Sequence, residues 1–249
     1  MRYILKRFLR FFLKWVARLA LVIHRPKIIV IAGSTNKSFV KDEIRTLLER
    51  EHIAVRATPK SFNTDIGVPL SILGISSGYG RYRAWAPIFW QSVCAVFRAS
   101  FPEALVLEFG VSNRGDMQYL LSIVRPDVVV LTDLTSRYVE RFPGVDALVR
   151  EYQLLVRRMK RDGFLVYNGD SVRLREVSKA FSGTRVSFGL SDGCDWQARE
   201  VRRVATGEAF AVWHDGVCIR NAHIDRFGEH HVFARLAGVA VREYAQHLC

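Results

Sequence analysis

Residues Ile28–Ala32 read IIVIA and run straight into Gly33-Ser34-Thr35-Asn36-Lys37-Ser38. An unbroken apolar run of this kind reads as a strand buried on both faces, which belongs in a parallel sheet covered by helices. The turn after it has the form of a phosphate-binding loop. A strand ends, the backbone wraps round an anion, and a helix begins with its N–H groups aimed at the phosphates. In such a loop Lys37 would neutralise phosphate charge and the Ser38 hydroxyl would ligate Mg²⁺. One letter departs from the pattern: a working loop carries Gly before the Lys, and here Asn36 stands there. Glycine gives positive φ and close backbone approach. Asn is the next most tolerant residue of a left-handed conformation, so the loop shape is expected to survive while the side chain crowds the phosphates. A strand followed by G-x-x-x-K-S also fits an ordinary βα turn, and the motif alone leaves both readings open.

The rest of the chain alternates in a way that fits the first strand. Lys27–Ala32 and Ile53–Ala57 read as strands, with a helix between them that runs to about Glu51. Tyr82–Ala99 reads as a helix rich in Trp and Phe. Ala104–Phe109 and Asp127–Thr132 are short apolar strands, separated by a helix over Asp116–Val124. A helix over Val145–Arg161, a strand over Phe164–Tyr167 and a helix over Val172–Phe181 follow. Alternation of this sort predicts an α/β fold, a mostly parallel sheet with helices on both faces. Beyond Thr184 the pattern changes. Thr184–Leu190, Asp195–Val204, Glu208–Trp213 and Val217–Asp225 read as successive antiparallel strands, with turns at Asp192-Gly193, Thr206-Gly207 and Asp215-Gly216. They predict a small antiparallel β subdomain before a last helix over His231–Gln246. At 249 residues the chain can bury a sizeable core.

The first 26 residues read as a separate unit. Arg2, Lys6, Arg10, Lys14 and Arg18 recur every four residues and form one slowly drifting basic stripe on a helix. Leu5, Phe8, Leu9, Phe12, Trp15, Val16, Leu19 and Ile23 fall opposite. This is the pattern of a basic amphipathic helix lying in a membrane interface, with Lys6, Arg10, Phe12, Lys14 and Trp15 as its contact residues. Basic residues interrupt the apolar run and no small-residue cleavage site follows, which argues against a signal peptide. Lys14 and Arg18 would sit inside any spanning window, which argues against a single span. The alternative is a helix packed on its own domain or on a partner chain. The formal net charge of +13 also favours anionic partners. Cys94, Cys194, Cys218 and Cys249 lie far apart without metal-type spacing and read as reduced, cytosolic thiols.

Several segments, in order, resemble the central ATP-binding domain of the Mur ligases, most of all the type that adds D-alanyl-D-alanine to the muramoyl tripeptide. IIVIAGSTNKSFVKDEI looks like that family's strand, phosphate loop and helix. TPKSFNTDIGVPL, Thr58 to Leu70, is similar to a T-x-x-x-x-N-N-x-I-G-x-P-L segment, with Asn63 kept and Thr64 in place of the second Asn. LVLEFGVSNRGDM, RPDVVVLTDL, GFLVYNGD and FGEHHVFARLAGVAV resemble four further family segments. The resemblance covers nearly everything from Pro26 onward. It implies a P-loop-type fold over residues 27–249, with ATP and Mg²⁺ as cofactors. Gly33, Ser34, Thr35, Asn36, Lys37, Ser38 and Asn63 would then be the nucleotide-binding residues, and Ser38 and Glu108 the ligands of the first metal.

The departures from the family pattern fall on its chemistry. The family phosphorylates a carboxylate with ATP and lets an amine attack the acyl phosphate, so charge on the transferred oxygens must be stabilised. Its second metal uses a His and a carbamylated Lys; in register these become Tyr138 and Tyr152, with Leu154 at an accompanying Glu. A phenol is a poor Mg²⁺ ligand and cannot be carbamylated. The family's H-N-x-x-N segment has become His230-His231-Val232-Phe233-Ala234. Family enzymes also carry a uridine-nucleotide domain before this region and an amine-receiving domain after it, and the sequence leaves room for neither. The resemblance therefore implies that ATP and Mg²⁺ binding is weak or lost, and no residue is assigned as catalytic. Three readings follow. The first is a non-catalytic homologue held at the inner, cytoplasmic face of the membrane, with a scaffolding or regulatory role for which a protein partner is the second expected contact. The second is a divergent ATP-binding ligase component completed by a partner chain. The third, carried by charge alone, is a basic module for lipid or nucleic acid; nucleic acid is the least favoured partner.

Overall fold

The computed structural model describes residues 2–59, 62–77, 85–135, 142 and 144–246. Nine strands form one continuous sheet. In chain order they are β1 (Lys27–Ala32), β2 (Val55–Ala57), β3 (Ala104–Phe109), β4 (Val128–Leu131), β5 (Phe164–Asn168), β6 (Thr184–Gly189), β7 (Trp196–Val204), β8 (Gly207–His214) and β9 (Val217–Ile224). Their order across the sheet is β2-β3-β1-β4-β5-β6-β7-β8-β9. The helices are α1 (Arg2–His24), α2 (Lys37–Arg50), α3 (Gly67–Leu73), α4 (Trp85–Val96), α5 (Asp116–Leu121), α6 (Val145–Arg157), α7 (Val172–Ser178) and α8 (Glu229–Gln246).

The three strands expected side by side, Lys27–Ala32, Ala104–Phe109 and the strand after Asp127, do lie together, but as the second to fourth of the nine strands, because β5 to β9 extend the sheet on one side only. β1 lies parallel between β3 and β4, with Val30 level with Leu107 on one side and Val129 on the other. Even inside a doubly buried strand the two-residue period sorts side chains to opposite faces. Ile28, Val30 and Ala32 join a core with residues of α1, α3, α4, α5, α6 and α7. Ile29 and Ile31 join a second core with α2 and α8. Both faces are therefore covered, as a parallel sheet requires.

The C-terminal part corrects one expectation. Thr184–Gly189 is not the first of an antiparallel set, because β6 runs parallel to β5, Phe164 to Asn168 pairing with Thr184 to Phe188. β7 also meets β6 in parallel, over Phe188 and Gly189. Only the β7–β8 and β8–β9 hairpins are antiparallel. They extend the same sheet because Phe210 and Val212 bury under α8 in the second core. Gly67–Leu73 is a fully buried helix that the sequence pattern did not single out. The first three residues of the helix expected over Tyr82–Ala99 lie outside the described residues, as do Tyr138 and Cys249.

The first helix is built into the domain. Leu9, Leu13, Ala17 and Ala20 are buried, spaced by four, four and three residues so that they share one face. They pack with Val68, Leu70 and Ile72 of α3 and with Ile88 and Ala95 of α4 in the first core. No described helix is long and apolar enough to cross a membrane.

Candidate functional site

Open α/β sheets place ligands beyond the carboxyl ends of their strands, where successive connections leave in opposite directions. Here that point lies between β1 and β4: from β1 the chain moves outward to β2 and β3 before returning to β4. The Gly33–Ser38 loop hangs there and is tied to the segment after β4. Ser34 N–H donates to Asp133 O at 2.8 Å, Thr135 N–H donates to Ser34 Oγ at 3.1 Å, and Thr132 Oγ1 donates to Thr35 O at 2.7 Å. A Cβ at Gly33 would collide with the Thr132 hydroxyl, so this close approach requires glycine. Asn36 adopts φ 63° and ψ 2°, the left-handed conformation, immediately before α2. Asn36 thus holds a left-handed conformation, as the tolerance of Asn for this region predicts.

Two clefts flank the loop and divide the predicted residues between them. The smaller, about 110 Å³, is lined by Gly33, Ser34, Lys37, Asn63, Thr64, Gly110 and Tyr152, among others. Asn63 is held beside it because Gly110 N–H donates to its carbonyl at 2.8 Å. The larger cleft, about 750 Å³, opens between Asn36, the Thr132–Thr135 segment, Asn168, Asp170 and Arg173, with Phe188 and Phe233 as an apolar wall. A volume of this order suits a small-molecule ligand. Its polar rim is organised by the chain itself: Asn168 Nδ2 donates to Thr132 O at 3.1 Å, and the Asp170 carboxylate accepts from Leu190 N–H at 2.8 Å and Ser191 N–H at 2.9 Å. Phe233, an unspecified position of the altered H-N-x-x-N segment, thus reaches this cleft, while the two amide positions of that segment are His231 and Ala234.

Lys37 is turned back on its own loop. Its ammonium donates to Gly33 O at 2.7 Å. Burial pushes its pKa below the usual lysine range, and the charge of Glu108 opposes that shift. Ser38 is exposed. Glu108, the other expected first-metal ligand, is buried at the end of β3 beside the Lys41 ammonium, at 3.1 Å. The two groups are close enough to neutralise each other, although the Glu108 oxygen is not aligned for a hydrogen bond. Mg²⁺ prefers several oxygen ligands in near-octahedral geometry. A carboxylate already held by an ammonium and an exposed hydroxyl do not supply that set, and no group of three or more His, Cys, Asp or Glu side chains suited to a metal occurs among the described residues. The residues present do not fit the family's two-metal site.

Tyr152, at the family's carbamylated-Lys position, is buried on α6 and forms part of the wall of the Lys37 cleft. The sequence reading sets Tyr152 at that position by residue count alone. Two functional neighbours escaped that reading. Lys41 could have been found as a lone charge among the buried positions Val40, Ile44, Leu47 and Leu48 of α2. Glu151 carried no such signal. Its carboxylate accepts from Gly115 N–H at 2.9 Å and Met117 N–H at 3.1 Å, which fixes the start of α5 beside the cleft.

The residues expected at a membrane divide between interior and surface. Arg10 pairs with Asp65 at 2.9 Å and lies over the Tyr119 ring, and Phe12 packs on Phe89 at 4.7 Å between ring centroids. Lys6 is more exposed, 3.9 Å from Asp65. Trp15 is exposed, with Arg18 5.0 Å and Lys14 6.0 Å from its ring.

Residues 31–242 match the family model described as the Mur ligase middle domain. The UDP-N-acetylmuramoyl-tripeptide–D-alanyl-D-alanine ligase of Bacillus subtilis is 25% identical over 219 residues, which is 88% of this chain and 41% of that protein. The corresponding ligase of Haemophilus influenzae is 22% identical over 219 residues, 87% of this chain and 42% of that protein. The chain thus spans less than half the length of these curated relatives. The crystal structure of MurF ligase from Thermotoga maritima in complex with ADP superposes with a TM-score of 0.77 at 21% identity, covering 94% of this chain and 49% of that one.

Proposed function

Because the chain belongs to the Mur ligase middle-domain family, we propose that it is a non-catalytic homologue of the ATP-dependent amide ligases of peptidoglycan assembly. Its role in this reading is scaffolding or regulatory, at the cytoplasmic face of an anionic membrane. The observation that carries the loss of catalysis is Tyr152. A phenol stands buried in the wall of the Lys37 cleft, where the family resemblance places a carbamylated metal ligand. The Lys41–Glu108 pair supports the same reading, since it neutralises the carboxylate left for a first metal.

Without a metal to offset phosphate charge, the loop retains Lys37 and its backbone N–H groups, which suffices for weak anion binding only. Nucleotide affinity is then weak and little changed by Mg²⁺. An ATP titration by calorimetry with and without Mg²⁺ tests this. Tight, Mg²⁺-dependent binding, together with ATP-dependent amide formation that Lys37→Ala abolishes, would overturn the proposal. That result would establish the second reading, a divergent acid–amino-acid ligase component completed by a partner chain. The observations favouring that alternative are the intact left-handed turn at Asn36 and the open cleft beside it.

A further inference from the structure

Most of the large apolar side chains left exposed among the described residues lie on two helices, α1 and α4. On α1 they are Phe8, Phe11, Trp15, Leu19, Val22 and Ile23; the first five, three or four residues apart, form one stripe on the side of the helix away from the buried Leu9–Leu13–Ala17 face. On α4 and the residue after it, Trp90, Val93 and Phe97 repeat the same spacing; Trp90 and Phe97 are each 72% exposed. Phe89 joins the two stripes, its ring centroid 6.0 Å from that of Phe8 and 4.7 Å from that of Phe12. A contiguous apolar surface of this kind marks an interaction site on a soluble domain.

Charge identifies what the surface meets. Neither helix contains an Asp or Glu. Arg7, Lys14 and Arg18 lie seven and four residues apart and border the α1 stripe on the side away from α4. Arg18 lies over the Trp15 ring and also donates to Ser122 O at 2.9 Å, so its charge is held at the edge of the stripe. A second copy of the chain laid on this face would oppose these cations with no carboxylate on either helix to pair them. A lipid surface offers phosphate at that depth and hydrocarbon beneath it, and Trp favours that boundary.

We infer that the joined outer face of α1 and α4 docks this domain on an anionic bilayer, with Trp90 and Phe97 entering the interface beside Phe11 and Trp15. The inference rests on the membrane reading above and changes its geometry. α1 does not lie alone on the membrane: its other face is the domain core, and α4 supplies half of the contact. Arg10 and Phe12 serve the interior, and the cations that face lipid are Arg7, Lys14 and Arg18.

Co-sedimentation of the full chain with phosphatidylcholine vesicles, with and without phosphatidylglycerol, tests this at low and high salt. The expected result is binding to the anionic vesicles that weakens in high salt. The pair Trp90→Ser and Phe97→Ser should lower that binding by about tenfold or more, with an unchanged circular dichroism spectrum and melting temperature. If the pair binds like the parent while Phe11→Ser with Trp15→Ser does not, the membrane reading stands and the two-helix face is wrong. If the parent ignores every vesicle, both fall, and a dimer in solution broken by Trp90→Ser would identify the face as a self-interface. Equal binding to neutral and anionic vesicles would overturn the charge argument.

Discussion

The Lys41 ammonium stands 3.1 Å from the Glu108 carboxylate, and the two side chains are only 8% and 6% exposed. The pair joins α2, the helix that follows the Gly33–Ser38 loop, to the end of the neighbouring strand β3. A carboxylate offered to a metal must be free to coordinate it; this one is already neutralised by the protein.

Breaking the pair should unfold more than it frees. Glu108→Gln leaves the buried Lys41 charge with only the exposed Asp42 carboxylate, 3.4 Å away, as its partner, so the cost should reach about 3 kcal/mol, the lower end for a broken buried pair. Replacing both together, with Lys41→Met and Glu108→Leu, should recover most of that loss. Urea denaturation of the three variants measures both effects.

Asn36 holds φ 63° without the freedom of glycine. Asn36→Gly should leave the fold intact and tighten ATP binding, because it removes bulk where phosphate must approach the backbone. Asn36→Ala should destabilise the protein by up to about 1 kcal/mol, because both residues carry a Cβ but Asn tolerates the left-handed region better than Ala. Calorimetric titration reads the first effect and thermal unfolding the second. Micromolar binding that is unchanged by Asn36→Gly would show the Asn to be no obstacle.

The two sides of α1 should respond oppositely to truncation. Leu13 is fully buried in the first core, so Leu13→Ala should cost about 2–5 kcal/mol. Phe11 is 62% exposed, so Phe11→Ala should change stability by no more than about 0.5 kcal/mol. Equal effects at both positions would mean that the helix does not pack as described.

Cys194 should be the slowest of the described thiols to label. Burial, with the nearby Asp170 and Asp195 charges, pushes its pKa up to about 11, and the thiolate is the reactive form. Cys94 and Cys218 are exposed. Mass spectrometry after brief alkylation at neutral pH should find these two modified before Cys194. The native thiol keeps its proton beyond the ordinary value of 9.0, so its contribution to stability is present below that pH and is lost as pH rises toward about 11.

The three neighbouring strands β3, β1 and β4 were legible because buried parallel strands must be continuously apolar, and Ile28–Ala32, Ala104–Phe109 and Asp127–Thr132 have few other uses. β6 was misread for a related reason. Thr184–Gly189 opens with two exposed residues and so lacks the continuous apolar run of β1, and strand direction leaves no mark in side-chain period. The loop residues Gly33, Ser34, Lys37 and Asn63 were found by their order and do meet at one cleft. Ser38 and Glu108 were paired by resemblance, and each has a different environment in the fold. Side-chain direction and ion pairing depend on neighbours distant in sequence, such as Lys41 for Glu108.

The sequence by itself determined the strand–loop–helix unit and the left-handed turn at Asn36, because these follow from local backbone preference and residue chemistry. It also determined that the first helix has both an apolar and a basic side. Only the tertiary structure decided which apolar residues of that helix are core and which are surface. Leu9 and Leu13 face α3 and α4, while Phe11 and Trp15 face outward, a choice made by what packs against the helix. The same holds for the outer surface: Trp90 and Phe97 lie some 80 residues from Trp15 in the chain, and only the packing of α4 on α1 through Phe89 brings them to one face.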